Sequence, residues 1–205
     1  EIRLSLVGSE MCIRDRNKLD GIDLDFEWAE NEKEYKDYSL AILKMREVLG
    51  NKYLFSVSLH PICYKISKEA IEAVDFISLQ CYGPSPVRIP IEKYCSDIQM
   101  VLEYGIPKEK LVAGVPFYGV TKDNSKKTEA YFNFVQNGLV TSPAQNEVIY
   151  QGDTYVFDGQ DNIRIKTRYA KEQKLKGMMS WDLATDLPLS DSRSLLKTMT
   201  EELRE

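Results

Sequence analysis

From residue 17 onward, short apolar, β-branched or aromatic runs alternate with stretches of helical period, the pattern of strand–helix units around a parallel sheet. The first strand is expected over residues 19–28. Tyr35, Tyr38, Ile42, Met45 and Leu49 then recur at three- and four-residue spacing, and Gly50 supplies a stop signal, which predicts a helix over 31–49. Two further units pair a strand at 53–59 with a helix at 67–74, and a strand at 75–82 with a helix at 91–104 ended by Gly105. A fourth strand at 111–118 leads into an insertion over about 120–173. Within it the pattern predicts a helix at 129–135 and a hairpin of strands 147–150 and 154–157 around Gly152-Asp153. A fifth strand, 177–181, precedes a final helix over 191–203.

Parallel strands covered on both faces need either a doubly wound sheet or a closed barrel. Glu27, Tyr82, Tyr118 and Trp181 fall where these strands finish, as the active-site residues of a (β/α)8 barrel do. A doubly wound sheet would bring a Gly-rich phosphate turn, and the sequence has none. The expected fold class is therefore α/β, a (β/α)8 TIM barrel. Such barrels typically take about 250 residues and eight strands, so five visible units leave it three short, and the missing ones should lie before Asn17. Residues 17–205 thus read as the C-terminal portion of a barrel. The segment from Leu6 to Arg16 resembles the translated end of a transposon-based sequencing adapter through Met11-Cys-Ile-Arg-Asp15, so residues 1–16 are expected to be non-native. A natural strand over residues 2–7 is the alternative.

Composition narrows the class of function. A net charge of −5 and the lack of a Lys/Arg-dense run interleaved with aromatics argue against nucleic acid, whose phosphates demand a concentrated basic face. A neutral polymer fits better. No apolar stretch approaches the ~18 residues of a membrane span. Cys63, Cys81 and Cys95 have neither paired CxxC spacing nor a histidine cluster, so neither a metal site nor a disulfide framework is indicated. His60, the single histidine, stands at a strand end before Pro61 and reads as structural.

The run Asp20-Gly-Ile-Asp23-Leu-Asp25-Phe-Glu27-Trp28 is what composition does not explain. Asp23, Asp25 and Glu27 recur with period two, so in a strand they share one face while Ile22, Leu24 and Phe26 take the other. Same-face neighbours lie only about 6–7 Å apart, and three like charges at that spacing should leave at least one proton retained or shared. That is the condition for an acid working near neutral pH. The alternative, an edge strand with a solvated acidic face, fits poorly beside an apolar opposite face and the strand–helix units that follow.

The spacing D-x-x-D-x-D-x-E, present as Asp20, Asp23, Asp25 and Glu27, resembles the signature of family 18 glycoside hydrolases, the chitinases and their relatives. Ser56-Val-Ser58, Gln80-Cys-Tyr82-Gly83, Gly114-Val-Pro-Phe-Tyr118-Gly119 and Gly177-Met-Met-Ser-Trp181-Asp182 resemble later strands of that family in its order. The resemblance puts the acidic motif on the fourth strand, in agreement with three missing units. It implies a substrate-assisted mechanism with one enzyme acid rather than two. Glu27 would protonate the glycosidic oxygen, and the substrate's 2-acetamido carbonyl would attack the anomeric carbon. Asp25 would orient the acetamido N–H and share a proton with Asp23, and Tyr82 would hold the acetamido oxygen. Trp181 would floor the subsite of the distorted sugar. Gln80, Asp20, Tyr118 and Trp28 complete the expected substrate-binding residues, with a packing role as the alternative for Tyr118 and Trp28.

By the same resemblance no metal or other cofactor is needed, and the parent protein is expected to be an exported monomer acting on a carbohydrate polymer or oligosaccharide. The substrate reading is a β-1,4-linked N-acetylglucosamine polymer; an endo-β-N-acetylglucosaminidase, a cell-wall glycan hydrolase and a non-catalytic chitinase-like lectin are the alternatives. Two departures matter. Gly83 stands where many chitinases carry an aspartate that tunes the acid, which bears on the pH optimum. The insertion is short beside the α+β module that walls a deep cleft in some relatives, so an open cleft is expected.

Overall fold

The computed structural model describes residues 18–204, so the segment expected to be non-native lies outside the described residues. Five parallel strands form one sheet: β1 (Gly21–Asp25), β2 (Leu54–Leu59), β3 (Phe76–Leu79), β4 (Leu111–Pro116) and, as numbered in chain order, β9 (Gly177–Trp181). They lie side by side in the order β1-β2-β3-β4-β9. Each strand thus neighbours the next parallel strand in the chain, without the reversal of order that marks a doubly wound sheet.

The two faces of the sheet differ in kind. Phe55, Val57 and Leu59 of β2, Ile77 and Leu79 of β3, and Leu111, Ala113 and Val115 of β4 are buried on one face. They share a core with residues of three helices, α1 (Glu32–Leu49), α2 (Lys68–Ala73) and α3 (Ile91–Tyr104). The alternate positions carry Asp23 and Asp25, Ser56 and Ser58, and Ser78, in register across three strands. Period-two geometry therefore sorts an apolar outer face from a polar inner one. Helix α1 starts where Asn31 accepts the Glu34 N–H, and its buried row includes Tyr38, Ile42, Met45 and Leu49, as the spacing predicts.

The region after β4 departs most from expectation. The predicted strand 111–118 is two strands, because β4 ends at Pro116, which has no N–H to continue the ladder, and the chain turns away. The Phe117 N–H still reaches the Trp181 carbonyl, at 2.8 Å. A second, antiparallel sheet then follows from β5 (Tyr118–Thr121), β6 (Thr128–Ala130), β7 (Glu147–Tyr150) and β8 (Asp153–Val156), in the order β6-β5-β8-β7, with helix α4 (Tyr131–Gln136) packed on it. The hairpin is present, with its turn and second strand one residue earlier than expected. Tyr150 pairs with Asp153 across Gln151 and Gly152, whose φ angles of 50° and 89° give the doubly positive turn that suits two-residue hairpins.

The insertion is also shorter than expected, since residues 160–172 of it form helix α5 (Gln160–Glu172), which packs against α3, β9 and the last helix, α6 (Leu195–Arg204). Its apolar stripe is thin: Ile163, Thr167 and Ala170 are buried with Lys166 among them, and a lysine in the buried row hides the helical period. Helix α6 begins four residues later than predicted, because the Asp186 carboxylate accepts the Leu195 and Leu196 N–H groups and fixes its start.

Lys166 and Asp158 are paired at 2.6 Å with both side chains wholly buried. Asn162 also donates to Asp158, and the ammonium lies 5.3 Å from the centre of the Tyr94 ring. Removing either partner strands a buried charge. Asp158→Ala or Lys166→Met should each cost about 3–5 kcal/mol in denaturant unfolding. The double replacement Asp158→Leu with Lys166→Met should cost less than either alone; costs that simply add would show that the pair is not what holds the region.

Candidate active site

The C-terminal ends of the parallel strands enclose a cleft of about 270 Å³. Asp25, Glu27, Gln80, Tyr82, Tyr118 and Trp181 line it, together with Trp28, His60, Gly83 and Pro84. Seven side chains named for this site from the sequence, Trp28 among them, are thus brought together, while Asp23 supports them from the preceding same-face position of β1.

Asp23 is held from β2. Its two carboxylate oxygens accept the hydroxyls of Ser56 at 2.5 Å and Ser58 at 2.9 Å. That clamp follows from register, because Asp23 pairs with Ser56 and Asp25 with Ser58 in the parallel ladder. Asp25, one step nearer the cleft, receives the Gln80 amide on both oxygens, at 3.4 and 3.3 Å. Burial pushes its carboxyl up, and the neighbouring Glu27 and Asp23 charges push it further, while the Gln80 amide pulls it back. Glu27 lies two residues past the end of β1 and is exposed at the cleft, joined to Trp28 by a cis peptide bond.

Tyr82 forms the opposite wall and is 6% exposed. Burial first, then Tyr118 and the carboxylates of Asp25 and Glu27, raise its phenol far above the ordinary range, so the hydroxyl stays protonated and able to donate. The hydroxyl lies 3.5 Å from the Met179 sulfur, and the ring meets Tyr118 edge-on at 6.4 Å. Gly114 makes room for it: a Cβ there would stand 2.8 Å from the Tyr82 ring and 2.7 Å from the Leu79 carbonyl. Trp181 ends β9 at 55% exposure, a large apolar surface left open in the cleft.

Asp20 is not brought to the cleft. It precedes β1 at the opposite end of the strand from Glu27, and its carbonyl accepts the Leu54 N–H at 3.0 Å. Ser56, Ser58 and Gly114 are site residues to which the sequence reading gave no role, although the period-two match of Ser56/Ser58 to Asp23/Asp25 was open to view. His60, read as structural, lines the cleft while both ring nitrogens face backbone groups, the Tyr82 carbonyl at 3.1 Å and the Ile62 N–H at 3.3 Å. Among the described residues no group of three or more His, Cys, Asp or Glu could hold a metal ion. The described helices include none long and apolar enough to cross a membrane.

The arrangement offers the exposed Glu27 carboxyl, the neighbouring Asp25 carboxyl with raised proton affinity, two neutral donors in Tyr82 and Gln80, and an open indole. It can pass a proton to a group laid on Trp181 while holding a neighbouring polar substituent from the far side.

Known proteins resemble this one along most of its length. A class V chitinase of Arabidopsis thaliana is 22% identical over 238 residues, covering 90% of this chain, and the chain spans 63% of that relative's length. The crystal structure of the GH18 chitinase ChiB from the chitin utilization locus of Flavobacterium johnsoniae superposes with a TM-score of 0.79 at 27% identity, over 98% of this chain and 65% of that one. The chitinase-like agglutinin RobpsCRA of Robinia pseudoacacia shares the fold, with a TM-score of 0.77 at 19% identity over 96% of this chain and 71% of its own. The family model described as glycosyl hydrolases family 18 matches residues 5–186 of the 205, and the chain belongs to that family.

Proposed function

We propose that the parent protein is a retaining hydrolase of β-1,4-linked N-acetylglucosamine polymers, chitin or chitooligosaccharides, with Glu27 as its acid and base. The observation that carries this reading is Glu27 exposed at the cleft in front of Asp25, whose carboxyl is pushed up by burial and by its two acidic neighbours. In this scheme Glu27 gives its proton to the glycosidic oxygen as the C–O bond breaks. The acetamido carbonyl oxygen of the same sugar forms the new bond to the anomeric carbon, giving an oxazolinium ion. Glu27 then takes a proton from water as the water oxygen opens that ring, so the acid is regenerated. Asp25 accepts the acetamido N–H and offsets the positive charge of the ion, with the Asp23 carboxyl behind it stabilised by Ser56 and Ser58. Tyr82 and Gln80 hold the acetamido and neighbouring oxygens, and the apolar sugar face lies on Trp181.

The relatives called chitinases favour this substrate, and an endo-β-N-acetylglucosaminidase or a cell-wall glycan hydrolase would differ in the products released. A sugar-binding protein without turnover is the second reading, favoured by the agglutinin that shares the fold. For the whole protein we also propose an exported monomer whose barrel is completed by three further strands between β9 and β1. Among the described strands β1 and β9 each have one unpaired edge, and Leu19 before β1 and Trp181 and Leu183 at the end of β9 are about half exposed or more.

The test is release of a fluorophore from a chitobioside by the full-length protein. Glu27→Gln should lower turnover by about 10²–10⁴-fold and leave chitotetraose binding within about twofold; undiminished turnover would remove Glu27 from its role, and binding without turnover in the unaltered protein would favour the lectin. Asp25→Asn should lose kcat with little change in KM, because its interaction strengthens in the transition state. Gly114→Ala should displace the Tyr82 ring and lower kcat/KM on the same chitobioside, and an unchanged value would mean that Tyr82 does not hold the substrate.

A further inference from the structure

His60 stands between the two halves of the cleft. It follows β2 directly, is 6% exposed, and lines the cleft with Trp28 and Gly83. Its Nδ1 lies 3.3 Å from the Ile62 N–H, a donor, so that nitrogen must be the acceptor. The proton then belongs on Nε2, which lies 3.1 Å from the Tyr82 carbonyl oxygen and donates to it. On the other side Trp28, the residue after Glu27, meets the imidazole edge-on with ring centres 4.7 Å apart. The short turn from His60 to Cys63 reinforces this side, since the Ala29 N–H reaches the Cys63 sulfur at 3.0 Å.

We propose that His60 is a positioning residue: a neutral imidazole, protonated on Nε2, that fixes the backbone of the Tyr82 loop against the Trp28 end of the Glu27 segment. This rests on the hydrolase reading and assigns the spacing of its two sides to one ring. Protonation would place a second N–H against the Ile62 N–H, so the ring would lose that anchor while its Nε2–H still reached the Tyr82 carbonyl. The environment opposes that: burial above all, then the Arg88 guanidinium, and more weakly Lys93, lower the proton affinity of His60 to about 4, while the Tyr82 carbonyl and Asp97 act the other way. Arg88 and Lys93 are both bound to Asp97 of α3, which mutes their effect. The carboxylates Asp25 and Glu27 line the same cleft as the ring. A folded-state value below the usual 6.5 favours the neutral ring, so its contribution to stability is complete above about pH 6.5 and is lost as pH falls toward 4.

Glycine at 83 belongs to the same device. A Cβ at that position would lie 3.8 Å from His60 Nε2, close enough for a carboxylate built on it to hold the imidazolium. With glycine there, position 83 offers the ring no carboxylate.

Nitrogen-15 NMR of the single histidine in this chain reads its state without substitution. The Nε2–H tautomer with a midpoint near pH 4 is expected; an Nδ1–H tautomer, or a midpoint at the ordinary 6.5, would overturn the proposal. Gly83→Asp should raise that midpoint, and an unmoved midpoint would mean that position 83 does not face the ring. On the full-length protein and the fluorogenic chitobioside, His60→Ala should lower kcat about ten- to a hundredfold, as small misplacements of reacting groups do, with KM changed less than about twofold. His60→Gln, whose side-chain amide can still donate to the Tyr82 carbonyl, should recover most of the loss, and His60→Asn should not. Equal kcat in His60→Ala and the unaltered protein, or no rescue by glutamine, would refute the positioning role. If the unaltered protein binds chitotetraose without turnover, the hydrolase reading fails and the NMR tautomer alone decides the bridge.

Discussion

Two serine hydroxyls on Asp23 are the contact from which the rest of the cleft is organised. A strand that carries carboxylates at every second position faces mutual repulsion along one side, and here the neighbouring strand answers it with donors at the same period. The Asp23 charge is met by Ser56 and Ser58, the Asp25 charge by the Gln80 amide, and Glu27 stands at the cleft. The gradient from satisfied to unsatisfied runs along one strand, and it points outward.

The opposite face of the same strands makes that arrangement rigid. Phe55, Val57, Ile77, Leu79 and Val115 are essentially inaccessible to solvent and are packed against the helices. A slip of one residue in register would carry the serines to the helices and the apolar side chains into the cleft, so the core and the site enforce each other.

Sequence periodicity made the sheet and the carboxylate face legible because both depend on local alternation and nothing else. The hairpin was legible for a similar reason, since a two-residue turn needs left-handed backbone that glycine supplies, but its turn is Gln151-Gly152 and not the expected Gly152-Asp153, because Asp153 already pairs with Tyr150. Helix α5 was hidden because its buried row contains Lys166, and that lysine makes sense only beside Asp158, eight residues back and equally buried. Strand β5 follows β4 without a break in the apolar pattern that would set it apart, and β6 was lost in a polar stretch whose pairing is tertiary. Within the site, Glu27, Asp25, Tyr82 and Trp181 could be placed from strand ends, whereas the distance of Asp20 from the cleft could not, because it turns on where β1 begins. The roles of Gly114 and His60 depend on contacts with loops far away in the chain, the ring of Tyr82 in one case and its carbonyl in the other.

The second sheet leaves the barrel-like strands at Pro116 and returns to α5 after β8, and its outgoing strand β5 lies hydrogen-bonded to its returning strand β8 through Val120 and Val156. Its two ends are therefore neighbours, as at sites that tolerate inserted domains. Tyr118 sits on that lobe and also lines the cleft. One wall of the cleft is thus carried by a lobe that could change in length without moving the acidic strand or its serine partners out of alignment.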